Sequence, residues 1–403
     1  MDIRLPTFFI LLAVAIDGIG VGLIIPVVPD LIRDIRGSTL SDAAVWGGIL
    51  WASFAIMQFL CGPLVGNLSD WFGRRPVMLV SLGAMSVVYF IMAIAGSIWL
   101  LLFGRIISGI AAATQSTAAA YMADLSPQEK RGQGFAIVTA AFGVGFVLGP
   151  VLGGLLAELG TRAPFWAASI LSGAVFIFSA MVLPETVTEK NRREFKWSQS
   201  HPLGALRNMN KLPNMKSLLI VMFLFQVAFF AFPAIWAYFT RERYGWDSLT
   251  IGYSLGLFGI SMAIVQGGLI RFIFGWFGEN GTVLIGFAFA LATFAGLVFL
   301  TDGNTVMVFT PVGAFAAIAI PAIQQIMSRE TPDNAQGALQ GVLTSLNALA
   351  FVISPVIASW SFAFATRPGG PIYLPGAPFV LSFVLSGAGL FVFLRFRRNQ
   401  HRN

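Results

Sequence analysis

The stretch Gly66-Asn67-Leu68-Ser69-Asp70-Trp71-Phe72-Gly73-Arg74-Arg75-Pro76 joins two long apolar runs, and part of it returns 205 residues later as Trp276-Phe277-Gly278. The same shift carries Gly62 to Gly267, Ser126-Pro127 to Thr331-Pro332, Gly132 to Gly337 and Pro150 to Pro355. One constant offset held from Gly62 to Pro150 is hard to obtain by chance. The chain therefore reads as two related halves, each repeating the same succession of apolar runs and short polar joints.

Composition says what solvent those runs meet. The 403 residues are 57% hydrophobic and 11% charged, with a mean hydropathy of +0.80. A water-soluble domain carries about 25% charge, so this chain cannot cover a water-facing surface and its solvent is lipid. Lipid offers the backbone no hydrogen bonds, which leaves helices as the spanning element for apolar runs of this length. The runs fall at about 6–29, 44–66, 76–97, 99–122, 133–157, 164–183, 215–239, 250–274, 281–300, 304–327, 337–362 and 377–394. Each is close to the length that crosses about 30 Å at 1.5 Å per residue. The expected fold is an all-α membrane protein of twelve transmembrane helices in two six-helix repeats. Its divisions are a first half at 1–183, a polar linker at 184–214 and a second half at 215–403. The first run is not followed by a small-residue cleavage site and reads as a span, not a signal peptide.

Several classes are excluded. Cys61 is the single cysteine, so there is no intrachain disulfide and no cysteine-rich metal site. His201 and His401 fall in polar segments at no ligand spacing, so no metal and no cofactor are expected. No nucleophile–base pair or phosphate loop supports an enzyme, since the glycine-rich segments lie within apolar runs and not after strands. The formal charge of +7 does not point to nucleic acid, because the basic residues are scattered between the runs. They mark topology instead. With the termini on one side, eighteen Lys and Arg fall on that side, six on the other, and Arg105 lies inside a run. Positive-inside then places both termini and the linker in the cytoplasm.

Here the motifs resemble a known family. The Gly66–Pro76 stretch resembles the signature between the second and third spans of the major facilitator superfamily. Gly104-Arg105-Ile106-Ile107-Ser108-Gly109 resembles its fourth-span arginine motif. The run from Gly143 through Pro150 to Gly154 resembles the fifth-span motif of its drug/proton antiporters. Asp17-Gly18-Ile19-Gly20 with Pro26 and Pro29, and Ala338-Leu339-Gln340-Gly341, resemble the tetracycline/proton antiporters. The resemblance implies the major facilitator fold around a central cavity. It also implies export of a small amphipathic drug in exchange for protons, from a bacterial cytoplasmic (inner) membrane, by a chain functional as a monomer in the lipid bilayer. Uptake by proton symport, or export of some other metabolite, stands as the alternative.

Each motif carries its own physics. Gly66 and Gly73 allow close backbone approach, and Asp70 lies where Arg74 or Arg75 can reach it. Such a cluster either latches the cytoplasmic face, biasing a two-state equilibrium, or serves only as a positive-inside signal. Gly145, Gly149 and Gly153 recur at small-xxx-small spacing with Pro150 among them, which suits close helix packing and, by the resemblance, a gate. Asp17 lies about 11 residues into the first span and Arg105 about 6 residues into the fourth, roughly 17 and 9 Å deep from opposite faces. An ionisable group at such depth is a functional hypothesis by default. The pair either exchanges a proton for a cationic group or forms a static buried ion pair. Gln58, Gln226, Gln266, Gln324 and Asn347, with Phe230, are candidates for cavity lining. Against the tetracycline antiporters the chain departs at Val88, Met262 and Ala290, where they carry two carboxylates and a histidine. Asp17 is left as the only acid deep in any span, and tetracycline becomes a doubtful substrate.

Overall fold

The computed structural model describes residues 4–112, 114–127, 131–189, 192, 195, 212 and 215–400. Most of the expected linker, with Lys190, Arg193, His201, Arg207 and Lys211, lies outside the described residues, as do Lys130 and His401.

The first half runs α1 (Arg4–Ile24), the short α2 (Val28–Arg36), α3 (Leu40–Phe72), α4 (Arg74–Ile94), α5 (Ile98–Ala111), α6 (Thr114–Leu125), α7 (Arg131–Ala157) and α8 (Ala163–Val182). The second half runs α9 (Lys216–Tyr244), α10 (Ser248–Ile264), α11 (Ile270–Phe299), α12 (Gly303–Ala314), α13 (Ala319–Arg329), α14 (Gln336–Thr366) and α15 (Ala377–Gln400). Among the described residues eleven continuous helical stretches are long and apolar enough to cross a membrane. One of them, Ser248–Phe299, has 52 residues and is long enough to cross twice. Its backbone breaks at Gly278, with φ 64° and ψ −178°, so it supplies two spans and the total is twelve. Gly278 is the repeat mate of Gly73, where φ is 119°. Both positions need a left-handed backbone, which only glycine adopts without strain. The sequence expected one continuous run over 6–29; the helix stops at Ile24, and a turn leads into α2, which has Pro29 in its first turn.

By their contacts the residues form two compact units. Unit 1 is Met1–Ser38, Ser53–Pro202 and Ser248–Tyr253, and unit 2 is Thr39–Ala52, Leu203–Asp247 and Ser254–Asn403. The tightest packing in unit 1 is between α1 and α7, and it is made by glycines from both sides. A methyl group on Gly149 would lie 2.6 Å from the Ile19 carbonyl and 2.8 Å from the Gly22 Cα. One on Gly22 would lie 2.7 Å from Cδ of Pro150, and one on Gly153 would lie 3.0 Å from Cα of Leu23. Gly145 abuts Ala15 in the same way, and Gly18 abuts Phe142. Without side chains between them the two backbones touch, the close-approach solution for helices in lipid, where association rests on van der Waals packing.

A second contact is made twice, once in each unit. In unit 1, Gly252 lies on the Pro150 carbonyl, and Gly154 lies 2.9 Å, measured from a built Cβ, from Cα of Leu249. In unit 2, Gly48 meets the Pro355 carbonyl at 3.1 Å and the Ser359 Cβ at 2.7 Å by the same measure. Pro150 and Pro355, and Gly154 and Ser359, are repeat mates. The Ser41 and Thr366 hydroxyls extend the unit 2 contact with a 2.9 Å hydrogen bond.

The glycine seam gives a sharp contrast. Gly149→Ala forces α1 and α7 apart and is expected to cost about 1–3 kcal/mol, the range for overpacking. Gly143→Ala, on the same helix with nothing within 4 Å of a built Cβ, should be neutral. The check is the melting temperature of each purified variant in detergent.

Candidate functional site

The seam fixes the rotation of α1 and so the place of Asp17. With Ala15, Ile19 and Gly22 turned to α7, Asp17 is held at 8% exposure, and its Oδ1 makes no hydrogen bond. Gly20, three residues on and so on the neighbouring surface of the same helix, leaves the space that Tyr89 of α4 fills. A Cβ on Gly20 would collide with the Tyr89 hydroxyl and lie 2.7 Å from its Cζ. Tyr89 is 2% exposed and interacts electrostatically with both Asp17 and Arg105.

Arg105 comes from α5. Its neighbour Gly104 lets α5 pack on Met92 of α4, with 3.1 Å from a built Cβ to Cγ. The guanidinium sits over the Phe54 ring at 4.5 Å, a cation–π contact that offsets part of its desolvation. Among the described residues no ion pair joins Asp17 to Arg105. Asp17 and Arg105 thus both neighbour the same stretch of α4: Gly20, one turn from Asp17, receives Tyr89, and Gly104, next to Arg105, packs on Val88 and Met92. Tyr89 was missed in the sequence because an aromatic in an apolar run looks like core; only the facing glycine singles it out.

The loop cluster at the start of α4 has a different composition from the one expected. Arg74 pairs with Asp70 one turn back and reaches Asp124 on α6 at 3.2 Å and the Ser69 hydroxyl at 3.1 Å. Glu185, just past α8, accepts the backbone N–H groups of Arg74 and Arg75 at 2.9 and 3.2 Å, so a carboxylate caps the positive end of α4. Gly73 makes this possible, since a Cβ there would meet the Glu185 carboxylate. Arg75 does not join the Asp70 cluster; it donates to the Ala180 carbonyl at 2.7 Å. Gly66 makes no close approach, having nothing within 4 Å of a built Cβ. Tyr121 donates to the Pro184 carbonyl, tying α6 to the end of α8.

Unit 2 repeats the cluster with its charges reversed. Arg74 and Asp124 have Glu279 and Arg329 as repeat mates, and these pair at 2.5 Å. The 205-residue offset carries this signal in the sequence, since each position swaps sign with its mate.

The other candidates are placed as follows. Gln226 is 2% exposed with its side-chain carbonyl unbonded. Gln58, Phe230 and Gln324 are half-buried, and Gln266 and Asn347 are exposed. Gln266 lies in a wide helical turn, Val265–Leu269, where α10 meets α11. Phe230 packs edge-on against Phe351 at 5.3 Å. Val88 and Ala290 are 1% exposed, and Met262 packs beside Val265, Ala314 and Ile318. Of these three positions Val88 and Ala290 are core, and Met262 is half-buried at the edge of an apolar cluster.

Removing one carboxylate from Arg74 leaves it another. Asp70→Asn and Asp124→Asn are each expected to cost less than about 1 kcal/mol, the range for partly exposed ion pairs. The double variant should cost more than their sum, because the guanidinium then loses both counter-charges. A thermal-stability cycle checks this, together with maleimide labelling of Phe72→Cys in a Cys61→Ser background, which should quicken only in the double variant.

A model of the Major Facilitator Superfamily matches residues 10–355. The chain is similar to the tetracycline resistance protein, class C, of Escherichia coli, 36% identical over 373 residues that cover 92% of this chain and 93% of that one. The class E protein of Escherichia coli is 36% identical over 365 residues, covering 89% and 87%. Among solved structures, that of the nucleoside transporter NupG superposes with a TM-score of 0.77 at 12% identity, covering 99% of each chain, a likeness of fold alone.

Proposed function

The chain belongs to the Major Facilitator Superfamily, and from that premise we propose that it is a multi-pass membrane transporter that exports drugs in exchange for protons. It is not an enzyme. The observation that carries the proton coupling is Asp17, the only acid deep within the spans among the described residues, buried with one oxygen unpaired one turn from the glycine that receives Tyr89. A carboxylate there is costly in the charged state. It is relieved by a proton or by a cationic partner, and the two compete for it. Competition of that kind at one group is the requirement for exchange.

The relatives named for tetracycline resistance support export as the direction. The substrate is a small amphipathic drug other than tetracycline. A magnesium chelate needs several buried polar partners, and each unmet one costs about 1–3 kcal/mol. Val88 and Ala290 are instead sealed in apolar packing. The working form is a monomer in a bacterial cytoplasmic membrane, with both termini in the cytoplasm, as the excess of Lys and Arg on that side favours. Residues 1–183 and 215–403 act as the two moving halves, joined by 184–214. The Arg74 cluster braces the cytoplasmic end of the first half, and the Glu279–Arg329 pair that of the second.

The test is an inhibitory-concentration series for ethidium and tetracycline in an efflux-deficient bacterium, with and without an uncoupler. Uncoupler-sensitive tolerance to ethidium is expected, with little for tetracycline. Asp17→Asn should lose the tolerance while reaching the membrane at normal levels. Tolerance that survives Asp17→Asn and still responds to the uncoupler would remove Asp17 from the coupling step, and a large gain for tetracycline alone would reverse the substrate assignment.

A further inference from the structure

Tyr89 of α4 occupies a specific position. Its hydroxyl is pressed against α1 at Gly20, one turn from Asp17, in a place that any side chain at residue 20 would occupy. Arg105 approaches the same stretch of α4, since a Cβ on its neighbour Gly104 would lie 3.1 Å from Met92 Cγ and 3.7 Å from Val88 Cγ1, on either side of Tyr89 in the helix. Asp17 is more than nine-tenths buried and its Oδ1 lacks a hydrogen-bond partner, so the carboxylate has unused acceptor capacity. Among the described residues, α6, α7 and α8, the elements that pack most on α1, bring no other ionisable group to that level. α8 has none, α7 has only Arg131 at its start, and α6 has Tyr121 and Asp124 in its last turns, with Tyr121 committed to the Pro184 carbonyl.

The repeat supplies an internal control. At the offset of 205, Tyr89 corresponds to Phe294 and Arg105 to Thr310. Phe294 is 4% exposed and Thr310 is 3% exposed, so both sit in the core of unit 2. The second half keeps the ring and drops the hydroxyl where there is no arginine to serve. The ring is therefore the packing element shared by both halves, and the hydroxyl is the addition peculiar to the first.

We propose that Tyr89 is the positioning residue of the exchange step, a hydroxyl that passes between Asp17 and Arg105 and reports the state of one to the other. With Asp17 ionised, the Tyr89 O–H donates to the carboxylate and steadies its charge. When Asp17 takes up a proton from solution, the carboxyl no longer needs a donor. The hydroxyl then turns, and its oxygen accepts from the Arg105 guanidinium. Tyr89 keeps its own proton throughout, so the only net transfer is to and from Asp17. A direct ion pair would hold Asp17 charged in every state; a neutral hydroxyl between the two charges lets it titrate.

This inference rests on the proton-exchange reading, and its test separates the two. Infrared difference spectra between acid and alkaline pH would be taken on reconstituted wild type, Asp17→Asn, Tyr89→Phe and Gly20→Ala. The band that Asp17→Asn removes identifies the carboxyl. Tyr89→Phe should displace that band and delete a tyrosine C–O mode from the difference spectrum. Gly20→Ala, which keeps the hydroxyl but pushes it off α1, should displace the band too, and guards against a folding defect peculiar to either variant. In the same vesicles, pH-driven ethidium uptake by Tyr89→Phe should have a maximal rate about tenfold lower, the worth of one hydrogen bond to a charged group, with KM near that of wild type. An Asp17 band unmoved in Tyr89→Phe overturns the proposal. A displaced band in a protein whose wild type moves no ethidium supports the hydroxyl contact and sinks drug export for this cation.

Discussion

The backbone contact between α1 and α7 is the constraint from which the site follows. Gly18 and Gly22 on one helix and Gly145, Gly149 and Gly153 on the other bring the two main chains together without side chains between them. A helix held in that way is fixed in rotation, because turning it would bring side chains between two backbones that now touch. With α1 locked, Asp17 is committed to the layer that contains Tyr89. The lipid in which the protein lies gives no hydrophobic drive for helix association, so fit at this seam has to supply both cohesion and orientation.

The polar groups show the complementary economy. Within the described spans the chain places few charges: Arg105 lies over the ring face of Phe54, and Asp17 is buried one turn from the glycine that receives the Tyr89 hydroxyl. At the ends of the spans the charges are opposed directly. Arg74 draws on Asp70 and Asp124, and Glu185 closes the N-terminus of α4 through two backbone amides. The first arrangement leaves a buried carboxylate oxygen without a partner, and the second ties its elements together through paired charges.

The duplicated architecture keeps geometry while exchanging chemistry. Arg74 with Asp124 and Glu279 with Arg329 join the same positions with opposite signs. A pair of opposite charges is neutral to that exchange, so the contact survives it. Tyr89 and Arg105 have become Phe294 and Thr310 in the second half, which is why only one half carries an ionisable layer. Gly73 and Gly278 are both kept, because each supports a backbone conformation closed to other residues.

The amino-acid sequence by itself determined the solvent, the number of spans and the duplication. Apolar length, low charge and one constant offset are properties of the chain that do not depend on how helices meet. It also singled out Asp17 and Arg105, because an ionisable residue in an apolar run stands out at any rotation. Tertiary structure decided what a one-dimensional pattern cannot carry. Helix rotation made the glycine stripe of α7 a seam with α1, with Gly154 and the Pro150 carbonyl left to receive α10. Folding of the chain ends brought Glu185 to α4 and Asp124 to Arg74, choosing Arg74 over its neighbour Arg75, and left Gly66 against open space. Tyr89 was invisible for the same reason. Its chemistry lies in one hydroxyl, and where that hydroxyl points depends on a glycine 69 residues away that only the packed helices set against it.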